Sequence, residues 1–466
     1  MPFSWDVLTN QPGFGTSTML LLTDGRVICQ EDGTANWSAL TPDAQGSYKN
    51  GMWAPIAPMA SWRRYYASAV LANGNVLVAG GEDAPTGDTN DCEIYDPVAD
   101  SWTVIAPPGG WPNIGDAPCA VLDDGRVLLG NINTTQTVIY DPVANAWTGT
   151  GTKGDISSEE TWTLLRDGSV LTVECNPTYP KASQRYVPSL GAWVDAGSTQ
   201  VDLVAHAFST EIGPAILLED GRVIAFGGTG HSAVYALGHT GAGVWAAGPD
   251  FPIGTDGQLM IVRDAPACLL PNGRVLCCAG TASGGVWPGW GAPPEFFEYE
   301  PYTDVLHSVA TPPLNASVPF VGRMLLLPTG QVLYASDNSN INLGTPSRRQ
   351  PRNEERIEPE ISEVSHELIP GSQHKVHGRR FNGVSQACSY GDDCSCATNY
   401  PIARLRYDGG RVVYCRTYDH STMAVATGHR IVHTTMEVPA SAPSGRAHLE
   451  IVANGIASDP VEVHVK

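Results

Sequence analysis

The sequence predicts an all-β protein in which a seven-bladed β-propeller precedes an immunoglobulin-like β-sandwich. Three observations support this prediction. The chain contains 50 glycines and 36 prolines but only 16% charged residues, a composition typical of short strands joined by tight turns. One hairpin motif recurs seven times along the chain, and a run of alternating strands follows the last copy.

Each copy of the hairpin motif has two apolar stretches joined by a short turn. Six copies carry Asp-Gly or Asn-Gly, as in "CAVLDDGRVLLGN", and the seventh carries Thr-Gly. Asp-Gly and Asn-Gly favour β-hairpins because both central residues of such a turn need positive φ. The turn residues recur every 43 to 57 positions, which matches a four-stranded propeller blade. They are Asp24, Asn73, Asp124, Asp167, Asp220, Asn272 and Thr329.

The domain boundaries follow from where this repeat stops. Three copies continue into an outer half-blade, as in "EIYDPVADSW", and the last hairpin ends shortly before residue 346. We therefore assign residues 1–346 to the propeller. The polar, basic segment 347–356 is predicted to be a linker or a loop that crosses the propeller face. Residues 357–466 contain six alternating strands, such as "IARLRY", and are predicted to form the sandwich.

The charge of the chain excludes two classes of partner. The net charge is -21 at pH 7, so we expect no nucleic acid and no anionic membrane surface as a partner. No run of 18 or more apolar residues occurs, and "MPFSWDVLTN" has neither a basic nor an apolar leader region. We therefore expect no membrane span and no signal peptide in this chain. The oligomeric state stays open.

The 11 cysteines do not form a C-x-x-C pair. Most lie in apolar strands, where a cysteine behaves as a small buried hydrophobe. Cys388, Cys394 and Cys396 lie instead in the turn-rich segment "QACSYGDDCSCATNY". They are the better candidates for a disulfide or a metal site, because such a polar loop offers little core to hold it.

The repeats and the final domain together resemble a known family. The glycine pair, the tyrosine before Asp-Pro and the later tryptophan stand in the order of kelch repeats, and "RTYDHSTMAVATG" resembles the final domain of the galactose oxidase and glyoxal oxidase family. The resemblance covers essentially the whole chain. It implies oxidation of primary alcohols or aldehydes by a copper ion held by two tyrosines and two histidines. One of the tyrosines is cross-linked to a cysteine in that family, and the family suggests an extracellular or periplasmic location.

Only part of the copper site carries over to this sequence. "RRYYASAVLANG" matches the tyrosine-bearing hairpin and nominates Tyr65 for the cross-linked tyrosine, and "YDHSTM" nominates His420. Thr16 stands where the family has its cysteine, and Phe320 and Val321 replace the adjacent Tyr-His pair. Copper is therefore not expected, because one tyrosine and one histidine cannot form a square copper site.

Tyr65 lies eight residues before its turn residue, and the same offset in the other repeats indicates an acidic ring around the propeller axis. Four of the seven repeats place a carboxylate at or beside that position. These residues are Asp116, Glu159, Glu211 and Asp264. Converging carboxylates repel one another and need a balancing charge, a proton or a cation.

Three ways of balancing the acidic ring remain open. Arg63, Arg64 and Arg263 lie beside it in the sequence and could neutralise it. The four carboxylates could instead be ligands of a calcium ion, since calcium binds several carboxylate oxygens. The third arrangement is catalytic: one carboxyl acts as acid and another as base, flanked by Tyr65 and His420, as in carbohydrate chemistry.

The favoured interpretation is a propeller that has lost the copper-radical site and binds or processes a small molecule, with carbohydrate as the preferred class. An enzyme of this kind would be a hydrolase or lyase rather than an oxidase, and no cofactor is expected apart from calcium. The candidates for substrate contacts are Arg63, Arg64, Arg263, His206, Trp287 and Trp290. Two alternatives remain: a non-catalytic adhesion or assembly module with a structural or cation-binding ring, and a residual copper oxidase.

Overall fold

Short β-strands build almost the entire protein in a computed structural model. The structure describes residues 2–82, 87–176, 181–206, 210–238, 243–282, 293–316, 318–336, 339–349, 356–390 and 396–466. Helix in these residues is confined to one 3-10 turn, η1 (Pro319–Val321). None of the described helical segments has the length and apolar character needed to cross a lipid bilayer.

Seven sheets of four core strands each form the blades of a propeller, which confirms the predicted fold. Blade 7 takes its outermost strand from the start of the chain, β1 (Ser4–Val7). Blade 1 has β2 (Thr16–Leu21), β3 (Val27–Glu31), β4 (Trp37–Thr41) and β5 (Met52–Ile56). Blade 2 has β6 (Ala67–Val70), β7 (Val76–Ala79), β8 (Cys92–Asp96) and β9 (Ser101–Ile105). Blade 3 has β10 (Cys119–Val121), β11 (Val127–Leu129), β12 (Val138–Asp141) and β13 (Ala146–Gly149).

The next blades repeat this order. Blade 4 has β14 (Trp162–Leu164), β15 (Val170–Val173), β16 (Ala182–Val187) and β17 (Ala192–Ser198). Blade 5 has β18 (Ala215–Leu217), β19 (Val223–Phe226), β20 (Ser232–Leu237) and β21 (Gly243–Ala247). The short β22 (Met260–Ile261) leads into blade 6, formed by β23 (Ala267–Leu269), β24 (Val275–Thr281), β25 (Glu295–Glu300) and β26 (Val305–Val309). Blade 7 has β27 (Arg323–Leu326), β28 (Val332–Ser336) and β29 (Asn340–Thr345).

Burial explains the unbroken apolar runs of the hairpin motif. Every residue of the innermost strand β2 is buried, whereas most of the outer strand β5 is exposed or half-buried. The innermost strands of successive blades lie next to one another around the axis. Both faces of an inner strand are therefore covered by neighbouring blades, and a polar alternation would leave polar groups without solvent.

The ring closes where β1 pairs antiparallel with β29, with Ser4 opposite Thr345 and Val7 opposite Asn342. Blade 7 thus combines strands from the two ends of the propeller sequence. This pairing joins the start of the propeller sequence to its last blade, with β1 as the outer edge strand of that blade.

The C-terminal domain is a curled sheet with its own core, consistent with the predicted sandwich. Its strands are β30 (Glu360–Glu363), β31 (Glu367–Leu368), β32 (Gln373–Arg379), β34 (Ile402–Tyr407), β35 (Val412–Tyr418), β36 (Ile431–Glu437), β37 (Gly445–Ala453), β38 (Ile456–Ala457) and β39 (Val461–Val465). The apolar side chains between its layers, among them Val376, Leu405, Val432 and Leu449, form a cluster separate from the propeller core.

A loop of the C-terminal domain reaches into the centre of the propeller. Its strand β33 (Cys388–Ser389) pairs with β23, the innermost strand of blade 6. The Gln386 side chain accepts a hydrogen bond from the N–H of Leu164 in blade 4 (3.3 Å). Tyr390 bonds to the carbonyl of Phe320, and Tyr400 bonds to the carbonyl of Leu21. The loop therefore contacts innermost strands or their approaches in blades 1, 4, 6 and 7.

This insertion corrects one expectation. The sequence suggested that the cysteine-rich loop has little core to hold it, but Cys388 and Cys396 are buried in the core cluster that they share with the propeller. Cys394 lies outside the described residues. The polar segment 347–349 lies along the turns of blades 5 and 6, where Arg349 pairs with Glu219 and Ser347 with Asn272.

Candidate functional site

Three of the four predicted carboxylates converge at one end of the channel. Glu159, Glu211 and Asp264 each precede the innermost strand of their blade, in blades 4, 5 and 6. One carboxylate oxygen of each lies within 4.8 Å of the others, and all three side chains are half-buried. We call these three residues the acidic cluster. Asp116 is half-buried as well, but it belongs to no such group among the residues that the structure describes.

The backbone at this end of the channel is unusual. Tyr65, Glu159 and Asp264 occupy the same position before their turns, and all three have positive φ, at 47°, 62° and 35°. Left-handed conformations cost non-glycine residues of order 1 kcal/mol or more, and they concentrate at functional sites. Blades 2, 4 and 6 therefore each place a polar side chain at this repeat position, on a residue with left-handed backbone.

Arg263 supplies positive charge to the acidic cluster. Its side chain is buried, with 3% exposure. Burial lowers the pKa of Arg263, while the charges of Glu211 and Asp264 oppose that shift. The carboxylates of the cluster can accept hydrogen bonds from a ligand or contact a positively charged one.

Gly228 creates the space in which Arg263 lies. A Cβ at position 228 would lie 2.8 Å from Cγ and 2.9 Å from Nε of Arg263. Neither atom is the free end of the side chain, so the arginine must move.

We therefore expect Gly228→Ala to lower the free energy of unfolding by about 1–3 kcal/mol through overpacking and to displace the guanidinium from the carboxylates. Urea denaturation and a crystal structure of the variant measure the two effects. Gly149→Ala is the control, since nothing lies within 4 Å of a Cβ there. Equal stability of the two variants would contradict this role for Gly228.

The other two predicted arginines lie away from the cluster. Arg63 is fully buried within blade 2, where its Nη1 lies 2.8 Å from Oε1 of Glu93. Arg64 pairs with Asp32 of blade 1, with Nε 2.8 Å from Oδ1. Arg63 therefore braces blade 2 internally, and Arg64 joins blade 2 to blade 1. Neither of these two ion pairs involves a residue of the acidic cluster.

His420 lies at the opposite end of the inner strands. Its backbone N–H bonds to the carbonyl of Ala72 (3.3 Å), after β6, whereas Tyr65 precedes β6. A strand of this length spans about 13 Å. Nδ1 of His420 lies 2.9 Å from Oγ1 of Thr434 within its own domain. Burial, and then the charge of Arg416, lowers the pKa of His420 to about 3. The imidazole is neutral and belongs to the domain interface.

The channel contains a cationic group that the sequence analysis missed. The guanidinium carbon of Arg323 lies 3.9 Å from the ring centroid of Tyr390 and 5.6 Å from that of Tyr65. Its Nη1 donates to the carbonyl of Phe320 (2.7 Å) and of Gly322 (2.9 Å). Arg323 is buried, so it links Tyr65 to the inserted loop through cation-π contacts.

The sequence did carry a signal for Arg323. Counting six residues back from each turn residue gives a threonine, alanine or proline in the first six repeats and arginine in the last. A lone charge at a position that is otherwise small and neutral marks a special environment. Tyr390 had no such signal, because its position depends on a contact between distant parts of the chain.

The remaining candidates stay undefined. His206 is half-buried on the loop before blade 5, and its Nδ1 has no hydrogen-bond partner among the described residues. Trp287 and Trp290 lie outside the described residues.

A second acidic group lies inside blade 4. Lys153 is completely buried with Nζ 2.7 Å from Oε1 of Glu160 and 3.2 Å from Oε1 of Glu174, and Asp155 lies in the same group. Burial works against the charge of Lys153, but the two glutamates outweigh it and raise its pKa. Burial, followed by repulsion from Glu160, raises the pKa of Glu174 to about 9. This group therefore already contains its own cation, the ammonium of Lys153.

The kelch motif family matches residues 63–109. The F-box protein AFR from Arabidopsis thaliana is 30% identical over 106 residues, which are 22% of this chain. The chain spans only about a quarter of that protein's length, 27%.

Two solved structures share the fold over longer stretches. A fungal alcohol oxidase of the AA5 family, in complex with copper, covers 99% of this chain and 98% of its own at 14% identity, with a TM-score of 0.54. A catalytically inactive virginiamycin B lyase from Staphylococcus aureus, with quinupristin, covers 74% of this chain and 100% of its own at 11% identity, with a TM-score of 0.52.

The fold and the matched motif define a kelch-repeat β-propeller. More particularly, the fold is galactose-oxidase-like: the alcohol oxidase shares it over 99% of this chain, and residues 63–109 carry a kelch motif. The resemblance recognised in the sequence is confirmed at this level.

Proposed function

We propose that this galactose-oxidase-like protein lacks a copper-radical site and binds a small molecule, with carbohydrate as the favoured class, at the acidic cluster. The observation that carries the proposal is the convergence of three carboxylates from three successive blades, with oxygens within 4.8 Å of one another. A sugar offers many hydroxyl donors, and each ionised carboxylate can accept several hydrogen bonds. If the protein is an enzyme, one carboxyl of the cluster acts as acid and another as base, in a hydrolase or lyase reaction.

The residues around Tyr65 do not fit a copper ion. The Thr16 hydroxyl donates to the carbonyl of Ser336, and Phe320 and Val321 offer no side-chain donor. The guanidinium of Arg323 lies 5.6 Å from the Tyr65 ring centroid, so a cation bound by that tyrosine would face a fixed positive charge. These contacts support a hydrogen-bonding role for Tyr65 in place of a radical role.

A bound divalent cation is the second candidate, and the same geometry favours it. Calcium binds oxygens at about 2.3–2.6 Å, so two oxygens on opposite sides of the ion lie about 4.6–5.2 Å apart. The three oxygens of the acidic cluster all lie within 4.8 Å of one another, so one such ion could contact all three. In this case the propeller would serve as a binding or assembly module, with the ion as a structural element.

Thermal shift of the full chain with single compounds tests both candidates. The panel contains neutral sugars, amino sugars and calcium chloride. Asp264→Asn and Glu211→Gln keep the side-chain shape but remove a charge, so we expect each to weaken binding of the active compound by about 10- to 100-fold, as for loss of a hydrogen bond to a charged group. Asp408→Asn, on an exposed residue of the C-terminal domain (65% exposed), is the matched control.

The outcomes separate the candidates. A shift with a sugar that both variants abolish supports the first, and a shift with calcium alone supports the second. If neither sugars nor calcium change the melting temperature, or if the cluster variants bind like the control, the acidic cluster is not the binding site.

A further inference from the structure

The pairing of the inserted loop with blade 6 brings two cysteines together. Cys268 of β23 and Cys388 of β33 are direct partners in the strand register. Their Sγ atoms lie 3.4 Å apart although the residues are 120 positions apart in the chain. Both are buried, Cys268 completely and Cys388 with 6% exposure.

The register places this pair where a cross-strand bond is sterically allowed. The N–H of Leu269 donates to the carbonyl of Ala387 (2.8 Å), so the neighbouring pair 269/387 is hydrogen-bonded and the pair 268/388 is not. Residues in a non-hydrogen-bonded antiparallel pair have Cα atoms about 4.5 Å apart and their side chains are closer. Disulfides span Cα separations of about 4.4–6.8 Å. A bond between these sulfurs therefore needs no rearrangement of the strands.

We propose that Cys268 and Cys388 are an oxidation site at which a disulfide joins the inserted loop of the C-terminal domain to the innermost strand of blade 6. Cys268 lies four residues after Asp264 of the acidic cluster. The bond fixes the loop in the channel next to the strand that positions this carboxylate. It also closes a loop of 120 residues, a length for which a cross-link restricts the unfolded chain strongly.

The reaction is a thiol–disulfide exchange with a small-molecule disulfide as oxidant. The Cys388 thiolate attacks one sulfur of the oxidant, forms a mixed disulfide and releases one small thiolate. The Cys268 thiolate then attacks the Cys388 sulfur and releases the second small thiolate. Two S–H bonds of the protein are lost, one S–S bond forms, and the two electrons and two protons end on two small thiols.

Mass spectrometry of the full chain tests the proposal. The protein is incubated with oxidised glutathione, alkylated under denaturing conditions and digested with trypsin and Asp-N without reduction. Asp-N cleaves before Asp392 and so separates Cys388 from Cys394 and Cys396. We expect a linked pair of peptides that contain Cys268 and Cys388, and about a 4 °C fall of the melting temperature when the bond is reduced.

Alanine variants keep the test independent of folding defects. Cys268→Ala and Cys388→Ala should each remove the linked peptide and the effect of the reductant. Cys277→Ala is the matched control, because Cys277 is buried in the neighbouring strand of the same blade with its Sγ near the carbonyl of Phe297 (3.8 Å). Alkylation of both Cys268 and Cys388 after incubation with the oxidant, or linkage of Cys388 to Cys394 or Cys396, overturns the proposal.

Discussion

Replacing Lys153 by methionine is expected to lower the free energy of unfolding by about 3–5 kcal/mol, the range for breaking a buried ion pair. The ammonium lies 2.7 Å from Glu160 and 3.2 Å from Glu174, and none of the three side chains is more than 1% exposed. Glu174 already holds a proton at pH 7, because its pKa is raised to about 9. Without the ammonium, Glu160 must therefore take up a proton as well or remain charged in a site without water. Either change destabilises the folded variant by a free-energy term that is absent from the native protein.

Urea denaturation of the full chain at pH 7 measures this loss. Lys49→Met is the control, since Lys49 forms an exposed pair with Asp6 (3.2 Å, 44% and 57% exposed), and such pairs contribute at most about 1 kcal/mol. The triple variant Lys153→Met, Glu160→Gln, Glu174→Gln should recover part of the loss because it leaves no charge buried. A Lys153→Met protein as stable as the Lys49→Met protein would show that the buried charges are not coupled.

The second large effect is a loss of stability in acid that depends on His420. Burial lowers the pKa of His420 to about 3 in the folded protein, whereas an unfolded histidine has a pKa of about 6.5. The unfolded chain therefore binds more protons between these values, and stability rises with pH across this window. The stability that the neutral His420 contributes is fully present above about pH 6.5. At pH 5 it is smaller by about 2 kcal/mol, since each pKa unit corresponds to about 1.36 kcal/mol.

His420→Phe tests the pH effect. Phenylalanine keeps a ring parallel to Tyr400, with which His420 stacks at 6.4 Å, but it does not titrate. We expect the difference in unfolding free energy between pH 7 and pH 5 to shrink by about 2 kcal/mol in this variant. His231→Asn is the control, because His231 is 43% exposed and paired with Asp250. An unchanged pH dependence in the His420 variant would mean that the imidazole is protonated in the folded protein.

The blades were predictable because their information is local. In the turn Asp124-Gly125 only the glycine has the positive φ expected of both residues, at 86°, and the apolar runs beside the turn specify two buried strands. The hairpin repeats often enough for the number of blades to follow by counting. The outer strands follow from the same local pattern, since Tyr95 bonds to Asp100 and Tyr140 to Asn145 at equivalent turns.

The candidate site was predictable only where the repeat imposes a position. The eight-residue offset found Glu159 and Asp264, and Glu211 lies one residue from it. The offset says which end of the channel a residue reaches, but not which way its side chain turns. Arg63 therefore appeared to be a site residue, although it pairs with Glu93 inside its blade.

The sequence pattern does not predict the contacts between the two domains. Tyr390 meets Arg323, and Cys388 meets Cys268, because a loop of one domain enters the channel of another. No sequence periodicity in either segment indicates these two contacts. His420 was misplaced for the same reason: its motif identifies a loop of the final domain but not the end of the propeller on which that loop docks.

The closure of the ring by β1 has a consequence for synthesis of the chain. β1 leaves the ribosome roughly 330 residues before its partner β29, an interval of about 15–70 s at usual rates of translation. During that time its backbone edge is unpaired and open to the wrong strands. The strand is only four residues long and carries the exposed Asp6. Short length and a charge are the features by which natural edge strands avoid aggregation. These features allow β1 to remain unpaired until β29 is synthesised.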